Sequence, residues 1–386
     1  MNILLLTQFF STTKGGGEYV FSLMAKSLAE KGNKVWVITN RIKNESYQTD
    51  NNIRFVFVPP TLEYKGGLPP NFSDNLRYVF SAIRQGKKII NEEKIDIIHS
   101  NNFSPAVVGS VLSWLTSKPH ITTVHDIFSL CGKNYWNMWG KQNGVSKFNV
   151  MLAPFFEKMM TRLKHDAVHT VSEASRDDLI KFRERKPIYV IHNSIETEIV
   201  KKLEPIPFQF IFIGRLVFYK NLEVVLKAIN IVKKDFPIIS LIIIGGGPHR
   251  SSLEKMVMEL GLQDNVKFMG YVSNEEKLRI LSASQALVFP SLCEGFGLVI
   301  LEAFSQEKPV LVSDVRPLSD IVSNGITGFV ISPHDEIKWA KTITDVIINP
   351  ENALKIGRKG KQVLEEKYNM QKMLENVLRM YKDLRN

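Results

Sequence analysis

Short apolar runs alternate with amphipathic stretches along the whole chain. In the first half the runs are NILLLT (2–7), KVWVIT (34–39), IRFVFV (53–58), IDIIHS (95–100), HITTVH (120–125), DAVHTVS (166–172) and IYVIHN (188–193). Runs this short and this apolar read as strands buried on both faces, the habit of parallel sheets. Between the first two lies GEYVFSLMAKSLAEKG (17–32), in which Val20, Leu23, Met24, Ser27 and Leu28 fall near helical spacing and Gly32 ends the helix. The scheme then restarts. FQFIFIG (208–214), ISLIIIGG (239–246), NVKFMG (265–270), ALVFPS (286–291) and KPVLVS (308–313) read as strands, with helical patterns such as NLEVVLKAINIVKKDF (221–236) between them. The alternation predicts the α/β class: two Rossmann-like, doubly wound domains in series. EPIPF (204–208), with two prolines, reads as the linker. Ligands of such sheets bind outside the carboxyl ends of the strands, so two facing domains would share a site in their cleft.

Composition narrows the class. A chain of 386 residues suits about two domains, and 44% hydrophobic with 23% charged residues is ordinary for a globular protein. No uncharged apolar run reaches the ~18 residues that a spanning helix needs. The apolar start MNILLLTQFFSTTKGGG lacks a basic leader and a small-residue cleavage site, so it reads as a buried first strand. Two cysteines, Cys131 and Cys293, make no framework of bridges and no zinc-type cluster, and a reducing, cytoplasmic setting fits. The net charge of +11 is uneven: residues 1–195 carry 25 basic against 16 acidic groups (+9), and residues 196–386 carry 25 against 23 (+2). Nucleic acid, an anionic membrane surface or an anionic substrate could answer that excess. No nucleic-acid motif accompanies it, so nucleic acid is not expected as a partner. KFNVMLAPFFEKMMTRLKH (147–165) reads either as a basic amphipathic helix for a membrane surface or as a helix with one core face.

Five stretches can carry chemistry. In TKGGGEYVF (13–21), Gly15, Gly16 and Gly17 lead from a strand into a helix, which lets backbone N–H groups approach a phosphate; a plain connecting loop is the alternative. The spacing is not that of the dinucleotide fingerprint. In GRLVFYKN (214–221), Gly214 ends a strand and Arg215 and Lys220 place two cations where a diphosphate could be neutralised; a solvated basic loop is the alternative. GGGP (245–248), with Gly246 at its centre, can approach a phosphate or simply turn the chain. His125 and Asp126 close a strand, where a histidine can bond a sugar hydroxyl or shuttle a proton. In LCEGFGLVILEAF (292–304), Glu294 would lie in the loop after a strand. The helix would begin near Gly297 with its positive end toward an anion, and Glu302 would follow one to two turns later, suited to paired ribose hydroxyls. The apolar neighbours Leu301, Ala303 and Phe304 argue that Glu302 is partly buried and hence partnered.

In this order the motifs GGGEYV, HD (125–126), VS (171–172), IHNSI (191–195), GRLVFYKN, GGGP and EGFGLVILEA resemble the retaining GT-B glycosyltransferases of the large family four group, over nearly the whole chain. The resemblance implies two Rossmann-like domains facing across a cleft: residues 1–200 for the acceptor, 201–365 for a nucleotide-sugar donor, and a last helix, 366–386, returning to the first domain. It implies that Arg215 and Lys220 grip the donor diphosphate, that Glu302 binds ribose, and that Glu294 lies beside the donor sugar. By the same likeness the backbone of Gly295, Phe296, Gly297 and Leu298 contacts sugar and phosphate, His125 lies near the reacting face, and the loop at Gly16 nears the phosphate. Ser194 stands where the family often has glycine, Tyr19 lies where it often has a larger basic residue nearby, and CGKNYWNMWGKQNG (131–144) matches none of its acceptor loops.

The expected reaction moves a sugar from a UDP- or GDP-sugar to a glycan or lipid-linked acceptor with retention. No Asp-x-Asp occurs in the chain. The leaving group is therefore expected to be stabilised by Arg215, Lys220 and the helix end, with no metal and no other cofactor. The resemblance favours front-face departure and attack, with Glu294 orienting and stabilising rather than attacking. A nicotinamide oxidoreductase would need glycine spacing that neither turn has. A non-catalytic binding protein would be expected to lack one of Arg215, Lys220, Glu294 or Glu302, and all four are present. A nucleotide-sugar epimerase of the same architecture is the nearest enzymatic alternative.

Overall fold

The structure, a computed structural model, describes residues 1–11, 15–43, 45, 47, 52–63, 71–132, 134–197 and 203–385. The first half runs β1 (Asn2–Leu6), α1 (Gly16–Glu30), β2 (Lys34–Ile42), β3 (Ile53–Leu62), α2 (Phe72–Glu92), β4 (Ile97–Ser100), α3 (Ser104–Thr116), β5 (His120–Val124), α4 (Tyr135–Asn143), α5 (Lys147–Met160), β6 (Ala167–Thr170), α6 (Glu173–Lys181) and β7 (Ile188–Val190). The second half runs β8 (Gln209–Ile213), α7 (Leu222–Val232), β9 (Ser240–Ile244), α8 (Arg250–Glu259), β10 (Val266–Gly270), α9 (Asn274–Ser282), β11 (Ala286–Phe289), α10 (Leu298–Ser305), β12 (Val310–Ser313), α11 (Leu318–Ile321), β13 (Gly328–Ile331), α12 (Glu336–Ile348), α13 (Pro350–Lys367) and α14 (Met370–Arg385). Every strand expected from the apolar runs is present. The short β13 escaped the sequence reading.

Two compact units result. Unit 1 comprises residues 1–130, 151–194 and 370–386; unit 2 comprises 131–150 and 195–369. The sheet of unit 1 is ordered β3-β2-β1-β4-β5-β6-β7, and that of unit 2 β10-β9-β8-β11-β12-β13. All named pairings are parallel. In both sheets the chain starts at a central strand, builds outward, then crosses back to build the other way. The reversal opens a crevice between β1 and β4 in one unit and between β8 and β11 in the other.

Unit 1 explains the continuous apolar runs. Ile3 and Leu5 of β1 point to a core completed by Phe21, Met24 and Leu28 of α1 and Val377, Met380 and Tyr381 of α14. Leu4 and Leu6 point the other way, to Tyr78 and Ala82 of α2 and Val108 and Leu112 of α3. Both faces are buried, so the period of two leaves no polar position. A polar chain also crosses this core. His169 Nε2 faces the Ile191 carbonyl (3.4 Å) and so carries its proton; Nδ1 then accepts from the Thr123 hydroxyl (3.0 Å). Thr123 in turn accepts from His99 Nε2 (2.7 Å), which leaves His99 Nδ1 to accept from the Tyr381 hydroxyl (2.6 Å). One set of tautomers satisfies every member, and it ties α14 to β4, β5 and β6.

Two findings depart from the sequence reading. Residues 131–150 cluster with unit 2, although they lie in the first half of the chain. The two cysteines are bridged, Cys131 to Cys293, with Cα atoms 5.5 Å apart. Their separation of 162 residues hid the pairing, and the bridge removes the support they gave to a reducing setting. Among the described residues no helix is long and apolar enough to cross a membrane.

Candidate active site

The crevice of unit 2 gathers the expected residues from three loops. After β8 the chain passes Gly214 and Arg215, buries Leu216 and Val217, and makes a single tight turn over Phe218–Lys220. Asn221 closes that turn in the left-handed region (φ 53°), with its Nδ2 donating to the carbonyls of Pro290 (3.2 Å) and Pro333 (2.8 Å). Asparagine tolerates that backbone, and its amide binds the loop after β8 to the loops after β11 and β13. The Leu292 N–H donates to the Tyr219 carbonyl (2.8 Å), a second tie between the same two loops.

This register sets the charges. Lys220 Nζ contacts a Glu294 carboxylate oxygen, and both side chains are largely shielded from water. The Lys220 ammonium also lies 4.8 Å from the Phe289 ring centre. Arg215 Nη2 donates to the Tyr219 hydroxyl (2.8 Å). Tyr219 packs on Tyr135 of α4 (ring centres 5.6 Å apart), so the segment 131–150 buttresses the arginine through one aromatic ring.

Beyond Glu294 the chain buries Gly295, Phe296 and Gly297. Phe296 packs edge-on to Tyr368, so its side chain serves the core and only its backbone is available to a ligand. Gly297 adopts φ 96° and α10 starts at Leu298 without a side-chain cap, which leaves a positive helix end at this edge of the sheet. Glu302, the fifth residue of α10, accepts from Lys277 Nζ of α9 through Oε1 (2.8 Å). Its Oε2 is buried and has no hydrogen-bond partner. A shielded carboxylate with one oxygen committed and one spare is an acceptor awaiting donors. The pairing expected for Glu302 is present, but its partner Lys277 was not identified from the sequence, because lysines on helix surfaces are common and nothing in its spacing points at α10.

The glycine turn at 245–247 has a steric explanation. Gly245 has φ 125°, and a Cβ there would sit 2.0 Å from the Gly214 carbonyl oxygen; at Gly247 one would sit 2.3 Å from that of Leu216. Leu216 N–H donates to the Gly246 carbonyl (2.9 Å), so the turn and the Arg215 loop are packed backbone to backbone. A Cβ at Gly246 would meet the Tyr271 ring at 2.9 Å.

In unit 1 the remaining expected residues gather at the carboxyl end of its own sheet. Gly15 (φ 73°) caps α1, which Gly16 and Gly17 begin. A Cβ on Gly17 would lie 3.1 Å from His125 Nε2, so the helix start rests on that imidazole. His125 Nε2 donates to Asn101 Oδ1 (3.2 Å). Burial, and secondarily His169, push the His125 pKa well down, so its ring is neutral. The described residues contain no cluster of three or more histidine, cysteine or acidic side chains able to hold a metal ion.

The sequence matches the family described as Glycosyl transferases group 1 over residues 194–363 and that described as Glycosyltransferase Family 4 over residues 14–199. It is 28% identical over 343 residues to an uncharacterised glycosyltransferase, MJ1178, of Methanocaldococcus jannaschii, covering 88% of each chain. It is 32% identical over 196 residues to the O-antigen chain mannosyltransferase RfbU of Salmonella typhimurium, covering 50% of this chain and 54% of that one. The sucrose-phosphate synthase of Thermosynechococcus elongatus has the same fold, with a TM-score of 0.82 at 21% identity over 100% of this chain and 99% of that one. The two family regions together take in residues 14–363, and the chain belongs to the group 1 glycosyltransferases, enzymes of the GT-B fold.

Proposed function

We propose that this transferase moves a sugar from a nucleoside-diphosphate sugar, a UDP- or GDP-sugar, to a glycan or lipid-linked acceptor, with retention and without a metal, in the synthesis of a surface polysaccharide or glycolipid. The observation that carries the reading is the Glu302 carboxylate: one oxygen held by Lys277, the other buried and unpartnered, on the helix that starts beside Glu294. That oxygen suits the paired hydroxyls of a ribose. Arg215 and Lys220 follow β8, and α10 presents its positive end across the same crevice, a charge set that suits a diphosphate. As the bond from the anomeric carbon to the phosphate oxygen breaks, negative charge grows on the diphosphate, where these groups stabilise it most. The acceptor hydroxyl attacks the face the phosphate leaves, and its proton passes to the departing phosphate oxygen. Glu294 then orients and stabilises the cationic sugar. His125, neutral and with Nε2 committed to Asn101, fits a hydrogen-bonding role better than that of a base.

Calorimetric titration with UDP, GDP, ADP and their sugars tests the donor site. One series should bind, and Arg215→Ala should weaken it by about 1.5–3 kcal/mol, the range for bonds to charged groups. Binding of none, with Arg215→Ala indistinguishable from the parent, would sink the proposal. Product anomers read by NMR test retention, activity in excess chelator tests metal independence, and a trapped glycosyl adduct on Glu294 would replace the front-face route. Product from donor alone, without acceptor, would favour the epimerase.

A further inference from the structure

Three adjoining helices of unit 1 hold large apolar side chains in water. On α2, Phe72, Leu76 and Phe80 recur every fourth residue, and the two phenylalanines are 78% and 70% exposed. On α3, Trp114 is 72% exposed; on α5, Phe155 is 63% exposed, with Met151 and Phe156 beside it. Other faces of these helices make the core: Tyr78 and Ala82 of α2 and Val108 and Leu112 of α3 are buried together. Glu157 of α5 turns inward and accepts the backbone N–H groups of Phe128 (2.6 Å) and Ser129 (2.9 Å). Helices α2 and α3 are neighbours, and α5 is tied to α3 through the segment that follows it. A Cβ on Gly86 of α2 would strike Leu112 of α3, and the chain leaving α5 is pinned to α3. There Lys164 N–H donates to Ser110 Oγ (2.9 Å) and Lys164 Nζ to the Ser113 carbonyl (3.3 Å), one residue before Trp114.

A protein that stays free in solution rarely shows so many aromatic side chains on one layer. Charge selects what covers them. The same elements carry cations: Arg84 and Lys87 on α2, Lys158 on α5, and Arg162 and Lys164 in the segment that follows α5. The acids Asp74 and Glu92 of α2 are balanced by Arg77 and Lys88, at 3.9 and 4.0 Å. The surplus of +9 in residues 1–195 therefore has a place to act. A second copy of this face would set these cations against themselves, which disfavours self-association.

We propose that the α2–α3–α5 face of unit 1 docks on an anionic lipid bilayer, its phenylalanines and Trp114 at the boundary of headgroup and acyl chain and its lysines and arginines at the lipid phosphates. The inference does not rest on the donor site and is tested without nucleotide. The purified full chain is floated with vesicles of phosphatidylcholine alone or with about 30% phosphatidylglycerol, the surface that attracts basic segments. It should float with the anionic vesicles only, and about 0.5 M salt should release it, because the basic contribution is then screened. F80S/W114S/F155S removes exposed side chains, so its thermal unfolding should match the parent while vesicle affinity falls at least about ten-fold. K158Q/R162Q should weaken binding to anionic vesicles. The proposal is overturned if the parent does not float with anionic vesicles, or if the apolar variant floats as well as the parent. It is equally overturned if sedimentation shows a dimer that the apolar variant dissolves.

Discussion

Lowering the pH from 7.5 to 5.5 should loosen unit 1 and spare unit 2. His99, His120 and His169 are buried in the β4–β6 region of unit 1. Burial pushes His120 and His169 down to about 4 and also lowers His99, where neighbouring histidines add to the shift. The hydrogen bonds satisfy neutral rings: His120 Nδ1 donates to the Lys164 carbonyl (2.9 Å) and its Nε2 accepts from Ser100 (2.8 Å). In the unfolded chain each histidine takes its proton near pH 6.5. Below that value the unfolded state binds more protons than the folded one. The stability is therefore complete above pH 6.5 and is lost as pH falls toward the folded pKa. For shifts from 6.5 to about 4 at His120 and His169, and to about 3 at the similarly neutral His125, the loss between pH 7.5 and 5.5 is about 1.3 kcal/mol per histidine, so about 4 kcal/mol for these three. That is a large part of the ~5–15 kcal/mol that holds a domain together. Hydrogen exchange read by mass spectrometry separates the units. After correction for the intrinsic effect of pH, protection of the β4, β5 and β6 peptides should fall about a thousand-fold. Peptides of β8, β9 and β11 should change little, since His249 and His334 of unit 2 are not buried. His120→Gln, which cannot take up a proton, should reduce the loss by about a third. A fall of less than ten-fold in unit 1 would refute the reasoning, because buried neutral histidines cannot avoid this linkage.

Tyr381→Phe should leave His99 Nδ1 buried without a donor and cost about 1–3 kcal/mol in denaturant unfolding of unit 1; an unchanged midpoint would mean the α14 tie is idle. Gly245→Ala should destabilise unit 2 by at least about 2 kcal/mol, since both φ 125° and the Gly214 carbonyl oppose a Cβ; thermal unfolding reads it. Glu302→Gln should weaken the binding of the nucleoside diphosphate itself by about ten-fold in calorimetry, through loss of a charged acceptor beside Lys277. Glu294→Gln should act the other way on that binding. It frees Lys220 from its carboxylate, so the nucleoside diphosphate should bind equally or up to about ten-fold tighter while transfer fails; weaker binding would show that the Lys220–Glu294 contact does not compete with phosphate.

How far the sequence could be read follows from what each feature depends on. The strands were legible because parallel strands are buried on both faces, and NILLLT needs no partner to declare itself. The strand β13 was not, because GFVI opens on a glycine, whose missing side chain admits the Val310 carbonyl (2.4 Å from an added Cβ) but carries no apolar signal. The places of the candidate residues were legible because Arg215, His125 and Glu294 each follow a strand, and a strand's carboxyl end is where such sheets bind ligands. Pairings were not: Lys220–Glu294, Lys277–Glu302 and Cys131–Cys293 span 74, 25 and 162 residues. Local periodicity cannot report contacts that the β8–β11 crossover creates. The triple glycine at 245–247 lies between these cases. Its backbone freedom was legible, yet the reason for it is a carbonyl 31 residues upstream, at Gly214. The same carbonyl belongs to the loop that carries Arg215. The packing that forbids a side chain at Gly245 therefore also fixes where the arginine stands, so a steric requirement and the binding role proposed for Arg215 rest on one contact and neither explanation displaces the other.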